Sequence, residues 1–537
     1  MSDSPFLQAS TNPAAHAQLG ANTDSDPTLY DTPDGHALVR GLLKALPYDP
    51  HDYIISGICP ILDGRDLLAT LVTGGGKTGY FVMLMIVISA IAKDPSCAGS
   101  RKTFPKDPAM VIICPTKALQ ETMSASIIEL GLSTLVINGD TYLSALQVQR
   151  DLWKEACQKF TMILLSPEEL SSAGFSSLLD NPEFSAHLCG LGMDEAHLIY
   201  WWGRSFRPMF QQIGLVRARM PLRNGHRIPV VAVTATLRVG EPMACICKVL
   251  GLIPGKYHFL RRSNVRNDIQ LIFRELQSGL GGYNFPELDW LLGEHDNTIV
   301  FCKTISLGFK VACYLWAKAS HLPDRSKHIR MFNSLNWQSY NSDTLGFLNN
   351  NNQQSSITIA TDTLSVGWDS KFTRNAVILG EPNDIDEFLQ KIGRIGRNRA
   401  AVPSPRAFLY YSRGALASAR AVVDSVDKSG STNRHSTDMQ NGDSTGDTAK
   451  KSKRKAPIKD GSESLMDITM ACLLLAQCIS KAIDEPYDNP IDDIPCMCKS
   501  CRDNPPVPRR RRCNCSGPQC NPENTPGSSV ARLAKNG

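Results

Sequence analysis

Short apolar runs alternate with helix-like patterns from about His36 to Arg262, and the same alternation returns from about Ser263 to Asp427. Buried apolar strands alternating with helices predict α/β domains built on parallel sheets. The first region offers strands at Asp66–Thr70, Met110–Cys114, Thr161–Leu165, Leu188–Met193 and Pro229–Thr234. The second offers Thr298–Phe301, Ile357–Ala360 and Ala376–Leu379. The most apolar stretch, Tyr80–Ala92, is too short to cross a bilayer and predicts a buried helix. The pattern divides the chain into a disordered segment (1–34), two α/β domains (35–262 and 263–427), a Ser/Thr/Asn/Gly linker (428–461) and a cysteine-rich tail (462–537). A helix is expected over Ser464–Ile483 at the start of that tail.

A chain of 537 residues, 42% of them hydrophobic, can bury a large core. The net charge of +5 permits a nucleic-acid partner without arguing for one. The polar start, Met1-Ser2-Asp3-Ser4-Pro5, is not that of a signal peptide, so the 17 cysteines are expected in a reducing compartment, where metal binding is favoured over disulfides. Nine of them lie between Cys59 and Cys313 among apolar segments and read as core residues; eight crowd between Cys472 and Cys520.

Three stretches carry chemistry. The first is Leu71-Val72-Thr73-Gly74-Gly75-Gly76-Lys77-Thr78, between a strand and a helix. Successive glycines let the backbone turn tightly and aim its N–H groups at one point, and the helix N-terminus adds its positive dipole end. A polyphosphate suits such a loop, with Lys77 on the phosphates and the Thr78 hydroxyl on Mg2+. The plainer alternative is a glycine-rich turn before a buried helix. The second is Met193-Asp194-Glu195-Ala196-His197 at a strand end, where Asp194 can hold Mg2+ and Glu195 can activate water; alone, it would read as a charge pair at a helix start. The third is Gln390-Lys391-Ile392-Gly393-Arg394-Ile395-Gly396-Arg397. Arg394 and Arg397 there suit the charge that builds on a transferring phosphate, against the alternative of a solvated basic face.

Together these residues resemble a superfamily 2 helicase and, within it, the RecQ family, over about residues 38–412. Thr73–Thr78 resembles motif I, Cys114-Pro115-Thr116-Lys117-Ala118-Leu119 motif Ia, and Ser166-Pro167-Glu168 motif Ib. Asp194–His197 resembles motif II, and Thr234-Ala235-Thr236 motif III, which couples hydrolysis to domain movement in such enzymes. Ile299-Val300-Phe301-Cys302 resembles motif IV, Ala360-Thr361-Asp362 through Val366-Gly367-Trp368-Asp369 motif V, and Gln390–Arg397 motif VI. Trp202-Gly203-Arg204-Ser205-Phe206-Arg207-Pro208 is similar to the aromatic-rich loop with which RecQ helicases sense single-stranded DNA. Trp202 and Phe206 suit base stacking and Arg204 and Arg207 suit phosphates, with a cluster capping the sheet as the alternative.

The resemblance implies two RecA-like domains with ATP and Mg2+ between them. Thr73, Gly74, Gly75, Gly76, Lys77, Thr78, Asp194 and Asp369 would bind the nucleotide. Lys77, Asp194, Glu195, Gln390, Arg394 and Arg397 would serve hydrolysis, and Thr116 and Lys117 would join the aromatic loop on nucleic acid.

The departures are informative. Ile54 stands where the family has a glutamine that reads adenine, and an isoleucine cannot make those two hydrogen bonds. Tyr48 is the candidate for stacking on the base. Val72 replaces a proline, and Met331-Phe332-Asn333-Ser334-Leu335 replaces the family's Tyr-His-Ala-Gly-Leu segment. In the tail, Cys478, Cys496, Cys498 and Cys501 form the expected Zn2+ set by analogy with the family's four-cysteine module, while Cys513, Cys515 and Cys520 could complete or compete for the site. Arg509–Arg512 suggests phosphate contacts, and Lys450-Lys451-Ser452-Lys453-Arg454-Lys455 resembles a nuclear import signal, with cytoplasm the alternative location. The function expected is ATP-driven 3′-to-5′ translocation on DNA, single-stranded and at duplex junctions, with no membrane role. The rivals are an RNA helicase, a translocase that does not unwind, and a catalytically weak nucleic-acid scaffold.

Overall fold

The computed structural model describes residues 29–158, 160–205, 213–223, 226–349, 356–364, 370–432, 466–509 and 513–520; for 202–205, 223, 226, 427 and 429–432 it gives the backbone path only. Nine strands arise in the first half: β1 (Asp66–Thr70), β2 (Ala109–Ile113), β3 (Thr134–Ile137), β4 (Met162–Leu165), β5 (Leu188–Met193), the small hairpin β6 (Leu222–Arg223) and β7 (His226–Arg227), β8 (Val230–Thr234) and β9 (Tyr257–Arg261). Seven of them form one sheet in the order β3-β4-β2-β5-β8-β1-β9, with every pairing parallel. The second half gives β10 (Gln270–Glu275), β11 (Asn297–Cys302), β12 (Ile329–Phe332), β13 (Ile357–Ala360), β14 (Thr373–Leu379) and β15 (Arg406–Tyr411). They form a parallel sheet in the order β10-β15-β14-β11-β13-β12. The expected two-domain parallel α/β architecture is therefore present.

The apolar stretch after the glycine loop is the helix Gly79–Lys93, packed between the first sheet and the helix Asp52–Leu62. Its closeness to the sheet explains a glycine in a strand: a Cβ on Gly192 of β5 would lie 2.9 Å from Ile112 and 3.0 Å from Phe81. Parallel crossovers put every strand's C-terminal end on one edge, so the glycine loop after β1 and the carboxylates after β5 share a crevice.

Two expectations for the C-terminal region change. The linker is expected from 428, but the helix Ala415–Thr432 runs through that point, because its Ala/Val/Ser sequence continues the helical pattern. The single helix expected over Ser464–Ile483 is two, Ile468–Leu474 and Ile479–Tyr487, interrupted where Cys478 adopts extended backbone. These helices are no loose appendage. Met470, Ala471, Leu473, Ile479, Ile483 and Tyr487 are buried in the same core as Phe388, Ile392 and Leu409 of the second domain. The basic cluster 450–455 and Arg510–Arg512 lie outside the described residues. None of the described helices is long and apolar enough to cross a membrane.

Candidate active site

The glycine loop takes the conformation its sequence demands. Gly74 and Gly76 have φ of +83° and +81°, a region costly for residues with a Cβ. Thr78 leads the helix without spending its side chain on a cap. Lys77 reaches out of the loop and its Nζ lies 3.0 Å from Glu195 Oε1. Glu195 sits just beyond β5 at a φ of +49°, a strained position for glutamate held by its neighbours: its N–H donates to Asp194 at 2.9 Å, and the Ala196 N–H donates to Val233 O at 3.0 Å.

The two carboxyls sit in opposite electrostatic settings. Burial, then the adjacent Glu195 charge, pushes Asp194 up to about 7, with Lys77 opposing. Burial also works against ionised Glu195, but Lys77, His197 and Arg394 outweigh it and hold its carboxyl down at about 2. A buried carboxylate that is costly to ionise alone is one a divalent cation would stabilise, so Asp194 and the unused Thr78 hydroxyl suit Mg2+.

The second domain closes on this site through the helix Ile385–Ile392 and the turn after it. Gln390 Nε2 lies 2.7 Å from His197 Nε2, and His197 Nδ1 lies 2.7 Å from Thr234 Oγ1. With the amide donating to Nε2, the ring proton sits on Nδ1 and is shared with Thr234. Burial lowers the pKa of His197, with the Glu195 charge opposing. Thr234 Oγ1 also accepts from the Thr236 N–H at 3.3 Å. A continuous chain thus joins Gln390 to Thr234-Ala235-Thr236, and His197 Nδ1 within it lies 3.5 Å from Glu195 Oε2. Arg394 is buried close enough to Glu195 to lower its pKa. Arg397 Cδ lies 3.9 Å from where a Cβ on Gly74 would be, and a Cβ on Gly393 would lie 2.9 Å from Thr73. Residues 73–78, 194, 195, 390, 394 and 397 therefore share one cleft.

Behind Thr236, Arg238 lies in a buried knot. Its guanidinium is 3.0 Å from Asp386, 3.4 Å from Asp467 and 3.8 Å from Asp384, and stacks over Trp201 at 4.3 Å. Trp201 Nε1 donates to Asp386 at 3.0 Å, and the Tyr487 hydroxyl donates to the same carboxylate. The knot ties the first domain (Arg238, Trp201) to the second (Asp384, Asp386) and to the tail (Asp467, Tyr487).

Other expected residues have local partners. Thr116 caps the helix Lys117–Glu129 by accepting from the Leu119 N–H at 3.3 Å, and Lys117 pairs with Asp140 at 2.6 Å on the surface. Ile54 is fully buried against the helix after the glycine loop, while Tyr48 is about half exposed. Phe206, Arg207 and Asp369 lie outside the described residues, as do the side chains of Trp202 and Arg204. Sequence reasoning passed over Tyr53, whose hydroxyl donates to Gly75 O at 3.0 Å. It also passed over Trp337, 85% exposed just beyond the substituted segment at Met331–Leu335.

The expected zinc set is not brought together. Cys478 groups with Cys513, Cys515 and Cys520, whereas Cys496, Cys498 and Cys501 gather around His51. The cause is the path of the tail. After Cys478 the second helix carries the chain away, and Gln477 O accepts from the Gln519 N–H at 3.0 Å, folding the last cysteines back beside Cys478. The stretch from Asn489 instead runs along the junction of the two domains and onto the first, where Asn489 donates to Asn264 at 2.8 Å and Asp493 pairs with Arg262 at 3.4 Å. In each set the ligand atoms lie within 4.8 Å of one another, and both are soft-donor sets suited to tetrahedral Zn2+.

Residues 55–243 match the DEAD/DEAH box helicase family model. The chain is 24% identical over 343 residues to the ATP-dependent helicase wrn-1 of Caenorhabditis elegans, covering 63% of this chain and 29% of that protein. It is 29% identical over 204 residues to the ATP-dependent DNA helicase RecQ of Synechocystis, covering 38% of each. The match thus spans well under two thirds of these relatives' length. The helicase Lhr of Mycobacterium smegmatis, solved with single-stranded DNA and AMP-PNP, aligns over 72% of this chain and 49% of its own. The TM-score is 0.52 at 16% identity, a likeness of fold.

Proposed function

We propose, from the premise that this chain carries a DEAD/DEAH box helicase domain with RecQ-type relatives, that it is an ATP-driven motor on DNA that unwinds duplexes in the 3′-to-5′ direction. The observation that carries the proposal is the single cleft in which Lys77, Asp194 and Glu195 of one sheet face Gln390, Arg394 and Arg397 of the other. Bound Mg2+ would supply charge neutralisation on the phosphates. Lys77 is drawn to the same phosphates and leaves Glu195 free to orient and deprotonate water. Arg394 and Arg397 face the charge that develops as the terminal phosphoryl group transfers. Because Gln390 touches His197, a shift between the domains is felt at the carboxylates, which is what coupling of hydrolysis to stepping requires. The loop at 202–207 is assigned to DNA by its resemblance to the RecQ sensing loop. Strand displacement from duplexes with a 3′ or a 5′ single-stranded tail tests the proposal: release from the 3′-tailed substrate supports it, and release only from the 5′-tailed or an RNA substrate contradicts it.

Ile54 predicts loose base selection. Its buried side chain offers no polar atom to adenine, so ATP should be preferred over GTP by less than the ~10⁴-fold that a hydrogen-bonding site can reach. Competition of the two nucleotides for turnover measures this, and a near-absolute ATP preference would show that another residue reads the base.

A further inference from the structure

We propose that His51, Cys496, Cys498 and Cys501 form a zinc site that fastens the C-terminal segment to the nucleotide loop, so that the tail becomes part of the ATP site. The coupling rests on the nucleotide reading above; the metal site does not. His51 Nδ1 lies 3.1 Å from Cys498 Sγ, 3.5 Å from Cys501 Sγ and 3.7 Å from Cys496 Sγ. One ring nitrogen has one proton or one lone pair, so it cannot hydrogen-bond three thiols at once. A shared cation accounts for the convergence. Zn–N of about 2.0–2.1 Å and Zn–S of about 2.3 Å at tetrahedral angles put nitrogen and sulfur about 3.5 Å apart, the middle of the observed range. Backbone N–H groups also face the sulfurs, as thiolates require: Asp52 on Cys496 at 3.3 Å and Cys501 on Cys498 at 3.4 Å.

From this site two struts reach the glycine loop. The His51 ring stacks on Tyr53 with centroids 4.8 Å apart, and the Tyr53 hydroxyl holds Gly75 O. His51 Cδ2 itself lies 3.8 Å from where a Cβ on Gly76 would be. Arg262 also lies over the Tyr53 ring, at 4.5 Å, while donating to Ile494 O of the tail at 2.8 Å. Loss of the metal frees the tail, His51 and Tyr53, and the loop loses a fixed carbonyl just before Lys77.

The test uses the full chain, with zinc per molecule measured by mass spectrometry and affinity by a fluorescent ATP analogue. The parent should hold two zinc ions, the second on Cys478, Cys513, Cys515 and Cys520. His51→Ala and Cys498→Ser should each hold one, expose the chain around Lys499 to trypsin and bind nucleotide about tenfold more weakly, the loss expected with one hydrogen bond to the loop. His51→Cys should regain the second ion, which separates ligation from folding. Cys313→Ser, at an exposed cysteine outside both sets, should match the parent. An unchanged zinc count in His51→Ala and Cys498→Ser, or failure of His51→Cys to regain the ion, overturns the metal site. A lost ion with undiminished nucleotide affinity overturns the coupling. A parent that counts two ions but binds no nucleotide overturns the nucleotide reading and the coupling, and leaves the metal site standing.

Discussion

Glu195→Gln should cut steady-state turnover by orders of magnitude while leaving nucleotide bound. The change keeps the size and shape of the side chain at its strained position, so the loop beyond β5 has no reason to rearrange. It removes the carboxylate that Lys77, His197 and Arg394 keep ionised. A general base contributes about 10²–10⁴-fold, so turnover should fall by that factor. The same change releases Lys77 from its 3.0 Å ion pair, so affinity for ATP should hold or rise. Titration with ATP beside single-turnover hydrolysis separates the two effects. Parent-like hydrolysis would remove Glu195 from the mechanism, and lost binding would make it structural.

The second large effect is on stability. Arg238→Ala strips the only guanidinium among Asp384, Asp386 and Asp467 in the described knot. Leaving buried carboxylates unpaired costs about 3–5 kcal/mol, far more than a surface ion pair. The loss should depend on pH. Burial, then the Asp386 charge, already raises Asp384 to about 7, with Arg238 holding it down. A carboxyl whose folded pKa lies above its unfolded value contributes stability below the unfolded value, and loses it as pH rises through the folded one. Without Arg238 that folded value climbs further, so the variant should be most impaired near pH 8 and partly rescued near pH 5. Thermal unfolding of both proteins at the two pH values checks this. A pH-independent difference would mean that Arg238 matters through its packing on Trp201 instead.

The parts legible in the sequence share a physical reason. Central strands such as β2, β4, β5 and β8 are buried on both faces, so their residues read as unbroken apolar runs. Four of the strands left unread, β3, β9, β10 and β12, are the sheet edges. At β9, β10 and β12 polar or charged residues interrupt the apolar run, as Gln270–Glu275 shows, whereas β3 is only four residues long. Another, Arg406–Tyr411, is central but aromatic, and its arginine and tyrosines hid it. The cleft residues stood out because phosphate chemistry needs glycines, a lysine and carboxylates in consecutive positions. The metal sets did not, because ligation is settled by distance in space. His51 lies 445 residues from Cys496, and a reading by spacing grouped Cys478 with neighbours that the fold sends to another domain. Tyr53 and Arg238 share that difficulty, since their partners are a backbone carbonyl and distant carboxylates.

Hydrolysis of ATP in one cleft in response to DNA is the proposal on which the rest depends. Steady-state ATPase measured with single-stranded DNA, duplex DNA and RNA tests it most directly, with Phe206→Ala run beside the parent. Slow basal hydrolysis is expected, raised by single-stranded DNA well above the level with duplex DNA or RNA, and the variant should keep the basal rate while losing most of the stimulation. Hydrolysis indifferent to nucleic acid, or none with any of the three, would contradict it.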